Sequence, residues 1–484
     1  MKILNALTVV AVTVLAANTA SALEFQPIGS IGMGGAGVAR TFDGAAAYWN
    51  PGALAFEADK TAIKIGGGVG YQIDDDLANN VDRLSTLGDP TTGLNVTAGG
   101  TTAENLAAAG QIAQILGVMN DIVQGGNASL RLNGSAFIGA RVGHFGTGLF
   151  GTLTGAGTPD PDLTNIRPDG ATSATDLAAA IGATTTGTPT FFTPQQFAAI
   201  ASAFGGGTTG SNIAFALDQQ LAASNTSHVS PGSAAEGLVQ LGNAIAGSTA
   251  GNFTTNRSSL QTRGIAYFEV PLAYGYPIDL GRFGTLGIGG AVKAMAGRVY
   301  ISSTNLFTTN SGDIFRNITK NHEDSLTWGI DLGALWKWRI VNVGVVAKNL
   351  NTPKFSTSDL VTTEDGFRIR PQVRGGVSVD LLTWLSVATD IDLTRNESAQ
   401  SGVTSQNFGG GLELHPVDWF KLRMGAYRNI GAGGFGPVAT AGLTVGPRWF
   451  NVDLDAAATT ETNEYKGHRY PREGKAQLSF NSLF

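Results

Sequence analysis

From Ser325 to Phe484 the chain is a succession of short segments in which apolar and polar residues alternate. Leu385, Val387, Thr389, Ile391 and Leu393 interleave with Ser386, Ala388, Asp390, Asp392 and Thr394. Neighbouring residues on a strand point to opposite faces, so such a segment has one apolar and one polar face. The same period holds for Phe450, Val452, Leu454 and Ala456, for Phe420, Leu422 and Met424, and for Ala476, Leu478, Phe480 and Phe484. A soluble sandwich could also use these strands, but the tryptophans argue against it. Trp336 and Trp338, Trp384, Trp419 and Trp449 each stand beside a short turn. Indoles gather at the level of lipid headgroups, so a row of them at one end of successive hairpins reads as a membrane girdle.

Composition narrows the class further. Charged residues make up only 14% and Gly is abundant at 67 of 484 residues, too polar for a helical membrane protein and too uncharged for most soluble ones. There is no cysteine, which excludes a disulfide framework, a thiolate zinc site and a Cys nucleophile. The net charge of −6 with no basic run gives nucleic acid no electrostatic footprint. Met1-Lys2, an apolar run from Ile3 to Ala17 and the small residues Ala20-Ser21-Ala22 predict a signal peptide over residues 1–22. No second uncharged apolar stretch of about 18 residues is expected, so a membrane protein of this sequence must cross as a closed sheet.

Fourteen strands are expected, at Thr61–Tyr71, Ser135–Val142, Thr147–Thr154, Arg263–Tyr274, Thr285–Ile301, Ser325–Trp338, Ile340–Lys348, Gln372–Asp380, Trp384–Thr394, Gln406–His415, Trp419–Arg428, Val438–Val445, Trp449–Ala458 and Lys475–Phe484. Most approach the ~9 to 11 residues that a tilted membrane strand needs. Short and long connections alternate, as an up-and-down barrel with both termini on the short-turn side requires. The fold class is therefore all-β: a transmembrane antiparallel barrel over residues 59–484, with two large insertions at about 72–134 and 155–262. Phe484, ending the last strand on its lipid-facing parity, is expected to belong to the signal read by the outer-membrane barrel assembly machinery.

Residues 23–58 do not read as wall. They hold the glycine-rich run Ile31 to Arg40 and the turn Asn50-Pro51-Gly52, without alternation, yet Met33, Val38, Phe42, Tyr48, Trp49 and Leu54 are too apolar for a free tail. Irregular backbone is tolerated at membrane depth only when protein or water surrounds it, so this stretch is expected inside the barrel as a plug. Its key residues are Gly32, Gly34, Gly37, Trp49, Asn50 and Pro51, with the Asn50 amide capping nearby backbone. The three glycines formally spell G-x-G-x-x-G, but no convincing strand precedes them and no βαβ unit follows, so the dinucleotide reading is set aside.

Gly32-Met-Gly-Gly-Ala-Gly-Val-Ala39, Asp43 and Asn50-Pro51-Gly52 resemble the start of the FadL-like long-chain fatty-acid transporters, in which this region is a hatch inside the barrel. Asp331 to Leu335, Val343 to Leu350, Arg370 to Gly376, Asp390 to Asn396 and Gly409 to Leu414 resemble more closely the conjugal-transfer TraF family of outer-membrane barrels. That likeness covers most of the chain outside the long loops. It implies an outer-membrane barrel and a link to plasmid transfer operons, without a mechanism.

The insertions carry helical patterns. Ile112, Ile115, Leu116, Met119, Ile122 and Val123 recur at helical spacing in the first, and in the second Pro194 opens a helix bearing Phe197, Ile200, Ala201 and Phe204. Ser233 is read as the cap of a helix bearing Leu238, Leu241 and Ile245, and the runs Ala183–Thr190 and Gly205–Gly210 as mobile. The apolar faces either pack on one another over the barrel mouth or line a groove that captures a hydrophobic ligand, as the FadL resemblance implies. Ile115, Met119, Phe197, Ile200 and Phe204 are the candidate ligand-binding residues.

Chemistry is otherwise sparse. The five histidines are scattered over turns and loops without ligand spacing, no Gly-x-Ser-x-Gly elbow is present, and no catalytic residue, metal or cofactor is expected. Asp390, Asp392, Asp453 and Asp455 share the polar parity and are expected to line a wet lumen opposite Lys337, Lys421 or Arg423. The sequence thus points to a monomeric barrel in outer-membrane lipid that passively admits small hydrophobic molecules such as fatty acids. The alternative is a non-transporting structural or adhesion component of a conjugative or other cell-surface apparatus.

Overall fold

The computed structural model describes residues 22–484 except 58, 75–76, 88–99, 125–128, 169–171, 226–227, 248–250, 252–254, 306–319, 359, 361–365, 398, 400–402, 432–435 and 466–467. The expected signal peptide falls almost wholly outside them. Fourteen antiparallel strands form the wall: β1 Thr61–Ile73, β2 Leu130–Val142, β3 Phe145–Asp160, β4 Ser259–Asp279, β5 Thr285–Asn305, β6 His322–Trp338, β7 Val341–Lys348, β8 Gln372–Leu382, β9 Leu385–Asp392, β10 Asn407–Val417, β11 Phe420–Asn429, β12 Val438–Val445, β13 Asn451–Thr459 and β14 Glu473–Leu483. Each pairs with its sequence neighbour, and β14 pairs with β1 from Ala62↔Leu483 to Gln72↔Glu473, which closes the barrel. At the seam Thr61 and Phe484 exchange backbone bonds of 3.0 and 2.8 Å. Closure leaves no sheet edge unpaired in lipid.

The outer parity is apolar around the ring, with Val69, Leu272 and Leu326 exposed at 70, 72 and 83% and Ile138, Val345, Met424, Leu454 and Leu478 continuing the band. Such a surface is stable only against hydrocarbon, and a closed barrel that presents it is an outer-membrane barrel. Trp384, Trp419 and Trp449 are exposed beside short turns, as expected. Trp328, also exposed, lies ten residues before Trp338 on β6, roughly 33 Å along the strand, and marks the opposite interface.

The wall is taller on one side. Strands β1 to β6 have 13 to 21 residues, whereas β7 to β14 have 8 to 11. The expected strands stop short at the long-loop ends of β2, β3 and β4, although Leu130-Arg131-Leu132-Asn133 keeps the alternation. Pro271 lies within β4, and the β3–β4 register skips from Thr147↔Leu272 to Phe150↔Glu269 because proline has no N–H to donate there.

The tall side carries the insertions. Helices α2 Leu77–Thr86, α3 Thr102–Gln124, α4 Ala174–Ala180, α5 Pro194–Ala203, α6 Gly207–Ser224 and α7 Pro231–Ala246 share one apolar core, while α1 Ala46–Trp49 belongs to the plug. Two expectations are corrected here. Ser230, not Ser233, caps α7, its side chain accepting from the Ser233 N–H, which lets Pro231 occupy the first helical position. The glycine-rich stretch after Phe204 is the first turn of α6 rather than a mobile run. Helix α3 is long and apolar enough to cross a membrane, but it is largely buried within this cap. The carboxylate of Asp218 on α6 is fully buried and accepts from the N–H groups of Thr190, Phe191 and Phe192 at 2.8 to 2.9 Å, anchoring the segment before α5.

Candidate functional site: the plugged lumen

Residues 23–57 lie inside the barrel. Lumenal glycines make room for them: Gly34 meets Gly410 and Ala426, Gly44 meets Gly139, and Gly52 meets Gly287 and Ala334. A Cβ at Gly34, whose φ is +65°, would stand 2.4 Å from the Ala426 carbonyl oxygen, so backbone touches backbone there and only glycine fits. Gly32 sits beside Gly442 and Asp455, and Gly37 lies under the Trp49 ring. Trp49 is fully buried, its indole N–H donating to Ile28 O at 2.8 Å, and packs with Phe25 and Tyr48.

Asn50 ties the plug to itself and to the wall. Its Oδ1 accepts from Gly52 N–H at 3.0 Å, and its Nδ2 donates to Val38 O at 3.1 Å and to Ala334 O on β6 at 3.0 Å. Pro51 follows as the first residue of a 3₁₀ turn, Pro51–Ala55. Further clamps come from the wall. Asp390 Oδ2 accepts from Gly37 and Val38 N–H at 2.8 and 3.0 Å, Gln477 Oε1 accepts from Gly29 N–H at 2.7 Å, and Thr440 accepts from Gly34 N–H and donates to Gly32 O.

The charged lining is packed, not wet. Arg374 bridges Asp390 and Asp392 and donates to Gly35 O at 3.0 Å. Arg423 and Lys64 hold Asp453, Arg423 also reaches Asp455, and Lys64 reaches Asp43 of the plug at 2.9 Å. Lys293 sits between Glu269 and Asp331 at 2.8 and 2.9 Å, and Lys348 Nζ lies 3.4 Å from the centre of the Tyr48 ring. The expected partners are corrected accordingly: Arg423 serves, but Lys421 faces Glu413, and Lys337 stands over the rings of Phe42 and Phe56. Buried charges need partners and hydrogen bonds to offset desolvation, and here the plug's backbone supplies many of them.

The plug also corrects the expectation that both termini share the short-turn side. The wall starts and ends there, but the plug climbs the lumen, so that Ala22–Leu23 pairs in parallel with Asn396–Glu397 beyond the long-loop end of β9. There Leu23 joins a packed apolar cluster with Ile265 of β4, Met295 and Val299 of β5, and Phe355, Phe367 and Ile369 of the β7–β8 connection. The short pair Lys354–Phe355 and Phe367–Arg368 roofs it, with the Arg263 guanidinium 4.5 Å from the centre of the Phe367 ring.

The candidate ligand residues lie elsewhere. Ile115, Met119, Ile200 and Phe204 are buried in the cap's own core, with Phe197 packed at its margin, so among the described residues these faces pack on one another. The residues of the apolar cluster escaped sequence reading, though a signal exists. At Gly264-Ile-Ala-Tyr-Phe268 and Met295-Ala-Gly-Arg-Val299 the lumenal parity turns apolar, whereas nearer the short-turn end the same parity carries Glu269 and Lys293.

None of the curated proteins matches this chain. Similar solved structures include the Pseudomonas putida toluene transporter TodX, with 10% identity, TM-score 0.42 and coverage of 95% of this chain and 97% of that one. A Pseudomonas aeruginosa FadL homologue has 10% identity, TM-score 0.41 and coverage of 96% and 99%, and the monoaromatic hydrocarbon channel CymD has 10%, 0.40, 96% and 98%. The family model described as F plasmid transfer operon, TraF, protein matches residues 47–392, from the last part of the plug to the end of β9. With more than two thirds of its length matched, the chain belongs to that TraF family.

Proposed function

We propose that the barrel passively admits small hydrophobic molecules across the outer membrane, holding them at the apolar cluster above the plug once Leu23 gives way. The supporting observation is the apolar cluster at the long-loop end of the lumen, beyond the buried charges of Glu269 and Lys293, with Leu23 of the plug as one of its members. A molecule seated among Ile265, Met295, Val299 and Phe355 takes the place of Leu23, so occupancy and plug position are linked. Fatty acids and monoaromatic hydrocarbons are both apolar enough to take the place of Leu23 in this cluster. The rival reading, a structural component of a cell-surface apparatus, draws support from the cap, whose helices are packed shut on their own core.

Uptake of radiolabelled toluene and of a radiolabelled long-chain fatty acid, in cells lacking their own hydrophobic-compound barrels, separates the two. Val299→Asp puts a carboxylate among the apolar side chains of the cluster and is expected to reduce uptake to the empty-vector level at normal barrel abundance. Uptake equal to wild type in this variant, or no uptake of either compound by the wild type, would support the structural role instead.

A further inference from the structure

We propose that the short-turn end of the barrel carries a binding site for the headgroup of an anionic glycerophospholipid, built on Arg282 and Arg339. The site begins with two indoles. Trp336 and Trp338 of β6 are stacked, with ring centroids 5.9 Å apart and planes 9° from parallel. An indole at headgroup level ordinarily leaves its N–H for water or lipid. Both are committed here: Trp336 Nε1 donates to Phe283 O at 2.8 Å and Trp338 Nε1 to Arg282 O at 3.1 Å. The β4–β5 turn is thereby fixed on an aromatic shelf.

That shelf presents two cations. The Arg282 guanidinium lies 4.8 Å from the centre of the Phe283 ring and that of Arg339 4.9 Å from the centre of the Trp338 ring, and both residues are exposed. Neither has a carboxylate within ion-pair distance among the described residues, whereas Arg448, at another short turn, is held by Asp418 at 2.9 Å. The acids nearest in sequence are engaged differently. Asp279 accepts from Gly281 N–H at 2.8 Å, and the carboxylate of Asp331 is held by Lys293 at 2.9 Å.

Each planar guanidinium on this shelf suits a phosphate, which accepts its forked N–H groups. Leu280, Phe283 and Ile340 stand exposed around them, at 40, 56 and 51%. These side chains offer contact to the glycerol and first acyl carbons of a lipid, which a free phosphate would not use. The position matches this chemistry, since the shelf lies at the girdle where the apolar band ends and headgroups begin. The site is independent of the apolar cluster and of any cargo.

The full barrel, delipidated in a neutral detergent, tests the assignment. Phosphatidylglycerol, phosphatidylcholine and inorganic phosphate are titrated separately, and bound molecules per barrel are read by native mass spectrometry. Wild type is expected to retain phosphatidylglycerol over phosphatidylcholine, with retention falling as ionic strength rises. The Arg282→Gln/Arg339→Gln variant is expected to retain it roughly tenfold less or worse, while Arg448→Gln behaves as wild type. Heat-modifiable mobility in electrophoresis confirms that each variant is a closed barrel. Equal retention of both lipids, no loss in the double variant, no salt dependence, or displacement of lipid by equimolar inorganic phosphate would overturn the proposal.

Discussion

Asn50 has every polar atom of its side-chain amide engaged within a fully buried site, and it joins three parts of the structure: its own turn, the Val38 region of the plug and the wall at Ala334. Asn50→Ala leaves a buried N–H and two carbonyls short of a partner, a loss of about 1–3 kcal/mol. It is expected to raise detergent-free permeability to small solutes in proteoliposomes while the barrel still folds, which heat-modifiable mobility reports. Asp218 plays the matching part in the cap. Asp218→Ala orphans the N–H groups of Thr190, Phe191 and Phe192 and is expected to lower cap stability by about 3 kcal/mol, seen as faster hydrogen exchange in α5 and α6 with β1 to β14 unchanged. Asn50 was legible in the sequence because Asn before a Pro-initiated turn has a local reason to be there. Asp218 was not, because its partners lie 26 to 28 residues away and a lone Asp on a helix carries no local signature.

At the scale of elements, the plug and the insertions were legible to different degrees. The plug could be read by elimination, since a segment rich in glycine and aromatics with no period belongs neither in the wall nor in water. Its direction could not, because the pairing of Ala22–Leu23 with Asn396–Glu397 is a backbone contact that any side chains permit. The helices of the insertions were visible where period and proline agree, as at Pro194, and invisible at α6, whose first turn is Gly-Thr-Thr-Gly. What their apolar faces do was open in the sequence, because a face that packs on a neighbour and one that lines a groove share the same spacing. Topology remains a direct consequence of the alternating connections. Protease applied to intact cells is expected to cut within 161–258 and to spare the turns at Trp384 and Trp419, and the opposite pattern would reverse the barrel.

The molecule as a whole follows from two periodicities and one composition. Alternation sets fourteen strands, turn tryptophans set the membrane level, and abundant glycine on the lumenal parity lets so narrow a barrel close around its own N-terminal segment. The unequal height of the wall was hidden, because the tall strands run past the ~9 to 11 residues that crossing the membrane needs. The central claim is that the segment from Leu23 to Phe56 governs passage by moving within the lumen. The chain has no cysteine, so one introduced pair reports alone. Ala36 of the plug and Ala388 of β9 are packed together with Met33 in one buried cluster, and Ala36→Cys/Ala388→Cys can be oxidised to fasten plug to wall, with loss of free thiol as the check. Uptake of the radiolabelled hydrophobic probe is expected to drop to the empty-vector level in the oxidised protein and to return on reduction. Undiminished uptake through the fully cross-linked barrel would contradict the account.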